Sequence, residues 1–212
     1  LLQERLMPPS APYWLIQTHS NIAIEATHTY QQQEADAAYT IEPGVICAVV
    51  TADCLPLLVT HRQGGAVAAI HAGWRSLLNG VIEETLTALA AKRGAISDYL
   101  IWLGPAISQA AFEVGPEVYD AFIEKAPADQ IAFHPSDRPQ HFYADLYQLA
   151  RNRLTRMGVP EQQIYGGDYC TYRDEALFFS YRRDGAASGR MASLIWIAAE
   201  GEINPEVEME MG

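Results

Sequence analysis

The sequence predicts an α+β domain built on mixed β-sheets, and three observations carry that prediction. Short Val- and Ile-rich runs bounded by turn residues read as strands. Three apolar stripes with helical period interrupt them, and some neighbouring strands have no helix between them. The chain has 212 residues, 49% of them hydrophobic and 10% aromatic, which suits one sizeable core and excludes disorder for most of the length.

In chain order, Val45 to Thr51, Leu55 to Val59 and Ala66 to Ile70 read as strands buried on at least one face. From Leu77 the period changes, with Leu78, Ile82, Leu86 and Leu89 on one stripe and Gly94 as the natural cap, which predicts a helix. Tyr99 to Leu103 resumes strand character. Pro116 opens a second helix at its first position, ending near Lys125, and the aperiodic segment from Ala126 to Gln140 is expected to be a loop. Leu146, Leu149, Ala150 and Leu154 mark a third helix, stopped by Gly158 and Pro160. Ile164 to Tyr165, Ala176 to Tyr181 and Ala192 to Ala199 are expected to close the sheets as strands. One domain over residues 1–199 is expected, followed by an acidic flexible tail over 200–212.

Fourteen basic against 26 acidic residues give a net charge of −12, and removing the five tail acids still leaves −7. Such a field repels phosphate backbones and anionic lipid, so no nucleic-acid or membrane partner is expected, and a small-molecule substrate is. Three cysteines without dense pairing, no signal peptide and no membrane-spanning run together read as cytoplasmic.

Two motifs sit where apolar runs give out, TADCLP (51–56) and HAGWRS (71–76), and strand ends feeding loops are where scaffolds present reactive groups. Cys54 alone reads as a core thiol more often than a reactive one, whereas Cys47, inside an unbroken apolar run, serves as the core reference. His71 alone reads as a structural histidine, but Gly73 permits close backbone approach, and Trp74, Arg75 and Ser76 open a helix whose free amides favour an anion. Arg75 beside them is either an anion ligand or a solvated charge. His19 ends a third strand-like stretch. Together His19, Cys54 and His71 form two imidazoles and one thiolate, a donor set suited to catalytic zinc with one position open, provided the fold converges them. Arg182, Arg183 and Arg190, three guanidiniums in nine residues of an acidic chain, are candidate anion ligands, with ion pairing to the excess acids as the alternative. Asp53, next to Cys54, is a candidate to orient an imidazole or relay a proton.

TADCLP, HAGWRS, LGPAIS with FEVGPEV, and GGDYCTY with FFSYRRDGAASGRMASLIW together resemble the YfiH-like laccase-domain family, also described as purine nucleoside phosphorylases or polyphenol oxidases. The motifs run in family order from about Tyr13 to Trp196. The resemblance implies a layered α/β/β/α fold with mixed β-sheets and one zinc held by His19, Cys54 and His71. It also implies phosphorolysis of adenosine, inosine and methylthioadenosine, adenosine deamination, phenol oxidation, or hydrolytic editing of a cell-wall precursor. Family members usually carry an N-terminal segment with a Ser-Thr-Arg-x-Gly-Gly element and an Asn-Leu-Gly turn, and neither is visible here.

Physical chemistry ranks these activities. A multicopper oxidase draws on His-x-His pairs, and the six histidines, at 19, 28, 61, 71, 134 and 141, include none. Copper substituting for zinc could give weak phenol oxidation. Zinc suits the donors better, with Arg75, Arg182, Arg183 and Arg190 expected to hold phosphate beside the sugar. The alternative is a metal-free hydrolase or amidase with Cys54 as nucleophile and His71 as base. A third reading is a zinc-binding module without turnover.

Overall fold

The strands β4 (Leu55–His61) and β5 (Val67–Ala72) form the centre of the molecule because their side chains alternate between two apolar environments. Leu57, Val59, Ala68 and Ile70 face a core shared with helices, while Leu58 and Ala69 face a second apolar cluster on the opposite side. Period-2 alternation with both faces apolar is what buries a strand twice. In this computed structural model, residues 8–198 are described; the expected acidic tail over 200–212 lies outside the described residues.

Around that pair, β1 (Ala23–Glu25), β2 (Ala37–Thr40), β6 (Tyr99–Leu103) and β10 (Ile164–Gly166) complete a six-stranded sheet in the order β1-β2-β5-β4-β6-β10. The two outer pairs are parallel and the inner ones antiparallel, so the sheet is mixed. A two-stranded antiparallel sheet of β3 (Cys47–Thr51) and β11 (Met191–Ile195) covers one face through Tyr13, Cys47, Val49 and Ile195. The other face carries α1 (Trp74–Asn79), α2 (Val81–Lys92) and α4 (Leu146–Arg156). Leu77, Ile82, Leu86 and Leu149 are fully buried there, each stabilising the fold by roughly 1.5–3 kcal/mol. The layers thus run helices, six-stranded sheet, two-stranded sheet, in a single mixed α/β domain. A small antiparallel sheet of β7 (Glu113–Val114), β8 (Phe133–Pro135) and β9 (Phe142–Ala144) packs beside α3 (Pro116–Lys125). No helix among the described residues is long and apolar enough to cross a membrane.

Three expectations are corrected. The helix from Leu77 is two helices, because Gly80 takes φ 96 and ends α1 before α2 starts. The expected loop from Ala126 to Gln140 contains β8, whose three residues are too few for a visible period. Ala176 to Tyr181 forms no strand. The Arg183 guanidinium donates to the carbonyls of Thr171, Tyr172 and Phe178, and Asp174 accepts from the backbone within the same turn, so these groups are satisfied without a sheet partner. A short helix, α5 (Tyr181–Asp184), follows, capped by the Ser180 hydroxyl.

Candidate metal centre

Strand register brings the donors together. Antiparallel pairing sets Pro56 opposite His71 and Leu55 opposite Ala72, so Cys54, one residue ahead of β4, falls beside the chain leaving β5. On the other side Ala37 pairs with Ile70, and the His71 N–H donates to the Asp36 carbonyl at 2.7 Å, extending the register by one residue. His19 arrives from outside the sheet in a left-handed conformation, φ 61, which a non-glycine residue adopts only where its surroundings hold it.

The ligand atoms of His19, Cys54 and His71 lie within 4.8 Å of one another. Cys54 Sγ stands 3.7 Å from His19 Nε2, close to the roughly 3.5 Å between neighbouring donors around a tetrahedral zinc. The imidazoles meet edge to face at 4.8 Å. His71 Nδ1 donates to Asp36 at 2.7 Å, leaving Nε2 as its donor atom. Gly73, the N-cap of α1, closes the other side. A Cβ there would lie 2.7 Å from His19 Cδ2 and 3.1 Å from Cys54 Sγ, so the cradle exists only because the residue is glycine. Two nitrogens, one sulfur and this space fit a metal ion that prefers mixed N and S donors.

Electrostatics sharpen the cluster. Burial raises the Cys54 thiol, but His19 and His71 outweigh it and pull it down to about 7. Burial lowers the His71 imidazole, but Asp36 and Cys54 outweigh it and push it up to about 9. At Cys47 burial outweighs a backbone hydrogen bond at Ala69 and pushes the thiol up to about 12, as expected of an inert core thiol. Cys170 is buried and accepts from the Ser108 hydroxyl at 2.9 Å.

A cavity of about 510 Å³ opens onto the cluster. Its wall holds three arginines, each over an aromatic ring. Arg75 lies 4.2 Å from the Trp74 ring centre, Arg182 5.4 Å from Phe112 and Arg190 5.8 Å from Tyr181. Sequence reasoning named these arginines but assigned no role to the rings. The structure does not bring Arg183 to this cavity. Its guanidinium is spent on the three carbonyls above and on Asp184 at 2.9 Å, so the expected substrate contact is replaced by a structural one.

Asp53 lines the cavity, but its carboxylate hydrogen-bonds no imidazole. It accepts the Thr171 hydroxyl and the Arg182 backbone N–H, each at 2.6 Å. The carboxylate that does hydrogen-bond an imidazole is that of Asp36, on His71 Nδ1 at 2.7 Å, and sequence reasoning missed it. Its one signal was an acid set among alanines at the start of an apolar run, in EADAAY.

Compared with known proteins, residues 1–198 match the family described as "Multi-copper polyphenol oxidoreductase laccase". The chain is 50% identical over 190 residues to "Purine nucleoside phosphorylase YfiH" of Escherichia coli (strain K12), covering 89% of this chain and 75% of that protein. It is 46% identical over 197 residues to a Haemophilus influenzae "Purine nucleoside phosphorylase", covering 92% and 78%. The crystal structure of Neisseria meningitidis protein NMB0706 superposes with a TM-score of 0.85 at 44% identity, covering 93% of this chain and 78% of that one. The family match over nearly the whole chain and these identities agree: the chain belongs to the multi-copper polyphenol oxidoreductase laccase family.

Proposed function

We propose that the chain is a zinc-dependent purine nucleoside phosphorylase acting on adenosine, inosine and methylthioadenosine, with adenosine deamination at the same centre. The observation that carries this reading is that one cavity joins the His19, Cys54 and His71 donors to three arginine–aromatic pairs. Phosphorolysis needs an anion and a flat heterocycle held on either side of a ribose. The guanidiniums of Arg75, Arg182 and Arg190 supply charge for phosphate, and the rings of Trp74, Phe112 and Tyr181 offer faces to a purine. The relatives named as purine nucleoside phosphorylases support the same class.

Bound at the cluster, zinc supplies Lewis acidity. The side chains supply the rest. The arginines align a phosphate oxygen with the anomeric carbon, so that the new C–O bond forms as the bond to the purine nitrogen breaks. Arg182 is steadied because its backbone N–H is anchored on Asp53. The electrons of the broken bond leave with the purine, which takes up a proton at nitrogen.

A second reading, a thiol hydrolase with Cys54 as nucleophile and His71 as base, is favoured by a thiol pulled down to about 7 beside an imidazole. One experiment separates the two. Zinc-loaded protein incubated with adenosine and phosphate is expected to yield adenine and ribose 1-phosphate, with inosine as the mark of deamination. Inosine alone would sink phosphorolysis, and turnover by metal-stripped protein or by Cys54→Ala at the wild-type rate would sink the metal reading.

A further inference from the structure

We infer that Asp36 is the positioning residue of the metal centre, a single buried carboxylate that fixes both imidazole donors. The inference rests on the metal reading above. Asp36 is fully buried, and both its oxygens are occupied. Oδ1 accepts the Nδ1 proton of His71 at 2.7 Å and the backbone N–H of His19 at 3.1 Å. Oδ2 accepts the N–H of Thr18 at 3.2 Å, the N–H of Ser20 at 2.5 Å and the Ser20 hydroxyl at 2.7 Å.

Two consequences follow for the donors. Amides of three consecutive residues aimed at one anion form an anion-binding nest, which needs a left-handed residue within it, and His19 at φ 61 is that residue. The carboxylate thereby offsets a backbone conformation that histidine otherwise disfavours and delivers Nε2 of His19 towards Cys54. At His71 the same carboxylate keeps the proton on Nδ1, which fixes the tautomer and reserves Nε2 for the ion. Asp53, the acid beside Cys54, does not do this work, since it is committed to Thr171 and Arg182.

Zinc dissociation constants measured by competition with a chromophoric chelator test the assignment. Asp36→Asn is expected to weaken zinc binding roughly 10- to 100-fold, the usual loss when the partner of a ligating histidine is removed. Asp129→Asn removes a fully buried carboxylate that serves Asn152 and Arg156, and is expected to lower the melting temperature while leaving zinc affinity at the wild-type value. An equal loss of zinc in Asp129→Asn would assign the effect to destabilisation and overturn the inference. Nitrogen-15 histidine spectra of the zinc-loaded wild type are expected to show His71 protonated at Nδ1 and ligated through Nε2, a result that does not depend on any variant folding; ligation through Nδ1 would overturn it. Unchanged zinc affinity in folded Asp36→Asn would overturn this inference alone, whereas a wild-type chain that takes up no zinc would overturn the metal reading and this inference with it.

Discussion

Asp36 and Asp53 are both buried, and both accept short hydrogen bonds, yet they hold different halves of the site. Asp36 gathers the backbone of residues 18–20 and the ring of His71, the metal-donor half. Asp53 gathers Thr171 and the backbone of Arg182, the cationic half, and its own carbonyl accepts the N–H of Ile107. Asp53 adjoins Cys54 in sequence and serves the distant half. Asp36 lies 18 residues before Cys54 in the chain and bonds the His71 ring and the His19 backbone. Proximity along the chain is therefore a poor guide to which acid orients which base; strand register decides it.

The largest expected effect tests the donor half without touching either acid. Gly73→Ala places a methyl group at 2.7 Å from His19 and 3.1 Å from Cys54, inside the space an ion would occupy. Zinc content after dialysis should fall to background, a loss of at least about 100-fold in affinity, because two of three donors must move. Stoichiometric zinc in Gly73→Ala would mean that the cradle is not the binding site.

A pH series sharpens the same half. The depressed Cys54 contributes stability that is fully present above its unfolded value of 9.0 and is lost as pH falls through about 7. The raised His71 contributes stability present below 6.5 and lost as pH rises through about 9. The two trade against each other, so the melting temperature of metal-free protein should stay nearly level from pH 7 to 9. Zinc needs the thiolate and an unprotonated Nε2. Its affinity should therefore climb about tenfold per pH unit across that window, as His71 gives up its proton. Calorimetry in buffers of different ionisation enthalpy should show about one proton released from this pair near pH 8 and about two near pH 6. A flat zinc affinity would mean that the pair is not the ligand set.

How far the sequence reached follows the same division. The central strands and the helix at Leu146 were legible from their apolar periods, and the helix at Pro116 from the proline at its first position. Gly80 hid its break, since glycine inside a helical stripe is tolerated as often as it stops one. The residues His19, Cys54 and His71 were legible as types at strand ends, but their convergence depends on the β2–β5–β4 register, which spacing does not encode. Asp36 was missed for that reason, its place among alanines in EADAAY being its one signal. The rings beside Arg75, Arg182 and Arg190 were missed because an aromatic at a strand end or in a loop looks like core until its neighbours are known.

The cationic half is tested by Arg182→Ala. Its guanidinium lies over Phe112 and donates to the Glu113 carbonyl, so it forms a fixed part of the cavity wall. Steady-state assays should show KM for phosphate raised about tenfold, the loss of one charge-assisted hydrogen bond, with zinc content unchanged. Zinc lost along with phosphate affinity would show that the two halves are one unit, against the division drawn from Asp36 and Asp53.

The smallest expected effect comes from the neighbouring residue. Arg183→Lys keeps the charge but loses the planar fork that reaches Thr171, Tyr172 and Phe178 together. Lysine can serve one or two of these carbonyls, and the others turn to solvent, so denaturant unfolding should report a small drop in the unfolding midpoint. KM for phosphate should remain near the wild-type value, since Arg183 does not line the cavity. A KM rise matching that of Arg182→Ala, without loss of stability, would return Arg183 to the anion site. Two adjacent arginines would then share one role, and the turn at 171–178 would need another explanation for how its carbonyls are satisfied.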